Sequence, residues 1–280
     1  MPLPPAIPLT GIGGLRFLDR TYDRQFEIFN RSPDIAREIE YFEQNAGSIT
    51  SVDDLMADRR ILNVVLGAFG LDEDVGKNAF IRKVVEEGTI DPEAFANRLV
   101  DPRYREMSEF LALGDLGNAF ERPSEITELV DRYKERQFEL SVGDVDFDLR
   151  LALNFRREAA ATVNRISDPD SAWLGLLGSR PLRSVLEGAL NLPTEFGTAD
   201  LDQQVEEVKR RMDNLFDVTS PTDLLESEVL DQVVDRFLAN SQITNGVLGP
   251  SVRGATALSL LQFRGVGTIG GSNLFASNFI

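Results

Sequence analysis

The sequence contains no cysteine and no histidine. Without cysteine there are no disulfides, no thiolate catalysis, no zinc–cysteine sites and no iron–sulfur clusters. Without histidine the commonest general base, the commonest transition-metal ligand and any Ser-His-Asp triad are gone. No apolar run approaches the ~18 residues that a bilayer crossing needs, so no membrane insertion is expected. Residues 1–14 lack a basic start followed by an apolar core, so no secretory signal is expected. Strict apolar–polar alternation over strand lengths is nearly absent, which argues against a β-sheet protein.

Positive charge is also scarce. The 280 residues carry 46 acids against 29 bases, a net charge of −17. Such a chain repels phosphate backbones, so nucleic acid is not an expected partner. The 42% apolar content is enough for a sizeable core and too high for a disordered chain.

What is present reads as helix. Ser32-Pro33, Asp91-Pro92, Asp101-Pro102, Asp168-Pro169 and Ser220-Pro221 each place a capping residue before a proline at the first helical position. Ser51 with Asp54 forms a variant capping box, and Gly47, Gly70 and Gly88 read as left-handed helix stops. Apolar residues step by three and four through Leu15, Leu18, Tyr22, Phe26 and Phe29, then Ile35, Ile39 and Phe42. The same spacing runs through Ile61, Val64, Val65 and Ala68, through Ile126, Leu129, Val130 and Tyr133, and through Val229, Val233 and Phe237.

An internal repeat is the strongest pattern. Shifted by 121 positions, residues 52–86 fall on 173–207 with nine identities in 35 positions, where unrelated stretches give roughly two. Gly67-Ala68 meets Gly188-Ala189, Arg59 meets Arg180, and the sole tryptophan, Trp173, takes the place of Val52 as a core residue. Upstream, Arg24-Gln25-Phe26-Glu27 matches Arg136-Gln137-Phe138-Glu139 at a spacing of 112, which predicts about nine extra residues near 140–150. Glycine inside a helix costs about 1 kcal/mol, and close approach of a second helix at Gly67, Ala68, Gly188 and Ala189 is the expected return. The fold class is therefore all-α. It is expected to hold two pseudo-repeated helical units of about 100 residues (15–120 and 121–240) in one body, after an N-terminal extension, 1–14.

Residues 241–280 differ in kind. They hold Arg253, Arg264 and no acid, and are rich in Gly, Ser, Asn and Thr. A short helix near 255–263 and a flexible end are expected. The apolar residues Leu258, Leu261, Phe263, Leu274, Phe275 and Phe279 suit docking on a protein partner, and packing back on the body is the other reading.

No chemical motif survives inspection. Gly265-Val266-Gly267-Thr268-Ile269-Gly270 matches a dinucleotide fingerprint but has no strand–turn–helix context. Asp144-Val145-Asp146-Phe147-Asp148 opens like a calcium loop, yet Leu149 and Phe155 replace the required Gly and Glu. It reads instead as a capped, acidic first helical turn. Asp72-Glu73-Asp74 reads as the loop and cap before the next helix. No catalytic residue, cofactor or metal is expected.

Several strings are more specific. These are Thr21-Tyr22-Asp23-Arg24-Gln25-Phe26, Asp58-Arg59-Arg60, Leu66-Gly67-Ala68-Phe69-Gly70-Leu71, Phe80-Ile81-Arg82-Lys83-Val84 and Leu149-Arg150-Leu151-Ala152-Leu153-Asn154. Over about residues 9–240 the chain resembles an alphaproteobacterial family carrying a domain of unknown function. Its members are loosely described as flagellar proteins because their genes lie among flagellar genes. The resemblance implies a helical fold and a flagellar association, with flagellar components among the protein partners; the expected location is cytoplasmic or flagellum-associated. The first functional reading is a non-enzymatic accessory or structural protein of the flagellum. A cytoplasmic adaptor or chaperone-like binding module is the second, and a carboxylate- or metal-dependent hydrolase the third.

Overall fold

A computed structural model describes residues 4–244. Among the described residues there are twelve α-helices, short 3₁₀ turns and no strand, so the protein is all-α. The first six helices are α1 (Gly11–Asn30), α2 (Pro33–Asn45), α3 (Val52–Ala57), α4 (Arg59–Ala68), α5 (Asn78–Glu86) and α6 (Pro102–Leu111). The next six are α7 (Pro123–Val145), α8 (Phe147–Arg165), α9 (Pro169–Gly178), α10 (Arg180–Leu190), α11 (Leu201–Phe216) and α12 (Ser227–Thr244). The residues predicted to be apolar anchors are buried or packed on the core, and Trp173 is buried as expected. One continuous core joins both halves. In it α4 packs on α7 and α2, while α10 packs on α12 and α8. Helix α7 also lies along α8, and α1 crosses onto α12.

Start signals work where a side chain can reach the first free N–H groups. Asp58 accepts from the N–H of Arg60 and of Ile61 at the head of α4, and takes the Tyr41 hydroxyl at 2.7 Å. Asp101, Asp146 and Asp168 cap α6, α8 and α9 in the same way. Two proline signals do not start α-helices. After Pro92 the chain turns, because Asn97 reaches back to the carbonyls of Thr89 and Asp91, and only a 3₁₀ turn, Phe95–Arg98, follows. After Pro221 another 3₁₀ turn, Asp223–Leu225, precedes α12, and Asp223 takes the N–H groups of Thr219 and Ser220. Gly47 also departs from expectation: it lies inside the 3₁₀ turn Ala46–Ser48 and is not left-handed, unlike Gly70 and Gly88.

Around the Gly-Ala helices the two stretches share boundaries. Helix α3 ends one residue before Asp58 and α4 begins one after it, and α9 and α10 flank Ser179 likewise. Both Gly-Ala helices end in a left-handed residue, Gly70 (φ 67°) and Asn191 (φ 50°). Each end is closed by the same bond, Leu71 N–H to Leu66 O at 2.8 Å and Leu192 N–H to Glu187 O at 2.9 Å. Asn substitutes for Gly there because its short polar side chain tolerates this conformation. Near 140–150 the chain runs from α7 to α8 with only Asp146 between them; α7 has 23 residues and α8 has 19, against 20 in α1 and 13 in α2.

Asp58→Ala is expected to lower the unfolding free energy by about 1–2 kcal/mol, the usual cost of a lost N-cap. Urea denaturation of both proteins measures this, and an unchanged midpoint would refute the capping role.

Candidate functional site

The residues singled out for a helix contact lie where helices meet. Gly67 on α4 faces the Tyr133 ring of α7: a Cβ at Gly67 would sit 2.8 Å from Cδ2 and from Cε2. Gly188 on α10 faces Phe237 of α12, where a Cβ would sit 2.7 Å from Cδ2. Real carbon contacts do not come that close, so only glycine lets each ring approach the neighbouring helix this closely. Ala68 and Ala189 are buried beside them. One turn beyond Tyr133, Gln137 Nε2 donates to Asp72 Oδ1 at 2.7 Å and ties α7 to the loop after α4. Burial, with Glu38 and Asp72 nearby, pushes the Tyr133 hydroxyl up to about 12.

Cationic side chains converge on the C-termini of the same helices, where unpaired carbonyls make the dipole negative. At the end of α4 the Arg103 guanidinium donates to the Gly70 carbonyl, and Arg136 lies against Gly70. At the end of α10, Arg236 Nε donates to Ala189 O at 2.8 Å and Arg211 to Leu190 O at 2.7 Å. Asn240 takes the Gly188 carbonyl.

Between α6, α7 and α8 these cations continue into a half-buried ionic cluster. Arg157 grips Glu139 through two bonds of 2.8 Å and also pairs with Glu158. Arg136 pairs with Glu158 at 2.8 Å, and Glu106 receives Arg132 at 2.8 Å and Arg165 at 3.4 Å. With its amide turned to accept, Asn154 bridges Arg157 and Arg136 at 3.1 and 3.2 Å. Burial, and then the neighbouring Arg157, lower the Arg136 pKa. Burial also opposes charge on Arg157, but its bonds to Glu139 outweigh it and raise the value. A cavity of about 40 Å³ opens here, lined by Arg103, Glu106, Arg136, Asn154, Glu158 and Arg165 among others. That is room for about one water, and acids largely balance the cations, so the cluster acts as a brace between helices.

Sequence reading missed two buried acids, Glu139 of the ionic cluster and Asp74. Asp74 is 5% exposed, accepts from the Tyr104 hydroxyl and pairs with Lys77. It does not cap α5, which begins beyond Lys77. Burial works against the ionised forms of Asp74 and Asp101. Lys77 and Tyr104 at the first, and Arg103 at the second, outweigh it and hold both below the usual 3.8.

The remaining features lie on the surface. Three exposed apolar side chains, Ile90 (68%), Val100 (89%) and Leu116 (99%), stand on the loops flanking α6. Two of these loops are pinned, because the Asp115 carboxylate accepts from the N–H of Thr89 and of Ile90 and from the Thr89 hydroxyl. Leu9, Val145, Phe147 and Ile243 are also exposed, each near the end of a helix. Their neighbours interlock: Ser241 bonds Asp148, Gln242 packs on Gly11, and Gly14 lies against Leu9 and Leu149. An open groove of about 450 Å³ runs past Tyr41, Asp58 and Arg59, with Arg60 stacked 3.8 Å above the Tyr41 ring. Among the described residues no group of three or more acids is placed to hold a metal ion, and no helix is long and apolar enough to cross a membrane. Leu258, Leu261, Phe263, Leu274, Phe275 and Phe279 lie outside the described residues.

This is an all-helical body in which the Gly-Ala pairs and capping residues build helix contacts and helix ends. The chain belongs to the family described as "Protein of unknown function (DUF1217)", whose model matches residues 68–224. It is also similar to a protein of Agrobacterium tumefaciens solved by X-ray crystallography, at 30% identity and a TM-score of 0.70, with 87% of this chain and 100% of that chain covered. No curated protein matches it.

Two outcomes follow. Gly188→Ala and Gly67→Ala are each expected to cost about 1–3 kcal/mol, since the added methyl must displace an aromatic ring in a packed core. Gly76→Ala, which meets nothing within 4 Å, serves as control. Equal thermal midpoints for all three would refute the close-approach role. Acidification gives the second. The unfolded chain takes up protons on Asp74 and Asp101 near 3.8 while the folded chain still resists them. Their stabilisation is therefore complete above that value and is lost as pH falls through the depressed folded values. Asp101→Asn should flatten the fall in thermal midpoint as pH drops below about 4; an unaltered slope would refute it.

Proposed function

We propose that this protein is a non-enzymatic accessory or structural component of the bacterial flagellar system that acts through protein–protein contacts. The observation that carries the contact reading is the pinned pair of loops bearing Ile90 and Leu116. A nearly naked leucine on a loop usually shares that loop's mobility. Here Asp115 fixes the backbone beneath it, so the apolar side chains are held out in water ready for a partner, with little ordering entropy left to lose. The flagellar part rests on the resemblance carried by the Thr21–Phe26, Leu66–Leu71 and Leu149–Asn154 strings.

Deleting the gene from a motile host is expected to impair swimming or flagellation, with restoration by the full chain. A complementing Ile90→Asp/Leu116→Asp protein should accumulate and melt like the parent yet fail to restore motility. Normal flagella and swimming in the deletion strain would overturn the flagellar reading. Full restoration by the double variant would overturn the role of these loops.

A further inference from the structure

One charged string occurs on two helices, and neighbouring helices answer its charges on only one of them. Arg20-Thr21-Tyr22-Asp23-Arg24-Gln25-Phe26-Glu27 on α1 matches Arg132-Tyr133-Lys134-Glu135-Arg136-Gln137-Phe138-Glu139 on α7, with five identities and an acid standing for an acid. On α7, Glu106 of α6 takes Arg132, Glu158 of α8 takes Arg136, and Arg157 of α8 takes Glu139. On α1, Arg20, Asp23, Arg24 and Glu27 are all exposed. Glu27 pairs with Arg31 at the end of its own helix, and among the described residues no other helix offers these four an opposite charge. Arg20 and Arg24 stand one turn apart, as do Asp23 and Glu27, so like charges lie side by side. Gln25, at the edge of this face, is already engaged. Its amide accepts from the Ala6 N–H at 2.7 Å and donates to the Ala6 carbonyl at 3.2 Å, so the N-terminal extension borders the face and leaves the four charges in water.

We infer that this face of α1 pairs with the same face of a second copy, the two helices running antiparallel. Phe17, Arg20, Arg24 and Ile28 follow one another at helical spacing, with Asp23 and Glu27 beside them, so all six share one side of the helix. Phe17 is half-buried but lies outside the core cluster, and Ile28 is 52% exposed. A twofold axis between residues 23 and 24 sets Arg20 opposite Glu27 and Arg24 opposite Asp23, and brings Phe17 within a turn of Ile28. The axis makes each contact twice. Parallel pairing in register would set base against base and acid against acid, so charge selects the antiparallel arrangement. The net charge of −17 opposes association of copies elsewhere, whereas on this face two bases and two acids cancel. Residues 17–28 span roughly 17 Å, and a single helix pair of that length buries less than the ~1,200 Å² of a standard interface. The dimer is therefore weak and sensitive to salt. This inference involves neither the Ile90 and Leu116 loops nor the flagellar reading.

Sedimentation equilibrium of the full chain tests the pairing. In ~0.05 M salt and at concentrations up to ~200 µM, the 31.1 kDa chain should populate a dimer. Raising the salt to ~0.5 M should weaken association at least about tenfold. Arg20→Glu/Arg24→Glu and Asp23→Arg/Glu27→Arg should each sediment as monomers, because each makes the face carry a single sign. An equimolar mixture of the two variants should form a complex with the mass of two chains. All four positions are exposed, so both variants should melt like the parent, and matching midpoints separate lost pairing from lost fold. A parent that stays monomeric at ~200 µM in low salt would overturn the inference. So would undiminished association of either variant, or a mixture that remains monomeric. Should a variant melt early, the parent's salt series decides alone, and association indifferent to salt would overturn it as well.

Discussion

Two aromatic rings lying on two glycines set the geometry of this protein. The Tyr133 ring rests on Gly67 and the Phe237 ring on Gly188, each at a distance no other residue would allow. Those contacts fix how near α7 comes to α4 and α12 to α10. Once the helices are that close, the rest is constrained: α8 packs on α7, α10 and α12, and a single core runs through both halves. Glycine weakens an isolated helix by about 1 kcal/mol, and the dispersion and apolar burial of a full ring returns more than that.

Electrostatics follows the same helices. A close-packed helix end buries carbonyls that water would otherwise satisfy, and something must donate to them. Arg103 does so for α4, and Arg211, Arg236 and Asn240 do so for α10. The arginines near α4 are themselves half-buried and so require acids, which Asp101, Glu106, Glu139 and Glu158 supply. The ionic cluster between α6, α7 and α8 is thus a consequence of how closely the Gly-Ala helix packs. Its balanced charges and water-sized cavity suit a brace better than a ligand site.

Much of the fold was legible because helices announce themselves locally. Period placed Leu15, Phe42, Val64 and Phe237 in the core, and register with Val52 placed Trp173 there; the structure buries all five. Gly67 and Gly188 were found because the same dipeptide occurs at matching places in two stretches. Local signals misled where a competing hydrogen bond won: Asn97 turned the chain after Pro92, and Asp223 did so after Pro221. The surface features were hidden for a different reason. Phe147 and Leu116 look like ordinary apolar residues, and only the folded neighbourhood reveals that nothing described covers them. Asp74 sits in an acidic triplet that reads as solvated loop, and its burial depends on Tyr104, 30 residues away.

The sequence by itself determined the helical class, most helix ends, the core-facing stripes and the absence of cysteine and histidine chemistry. These depend on interactions within a few residues, or on composition alone. Tertiary structure decided which ring meets which glycine, which arginine serves which helix end, and which apolar residues stay in water. Those outcomes join residues tens to hundreds of positions apart. Their energies exist only after the chain has closed on itself, so no local pattern encodes them.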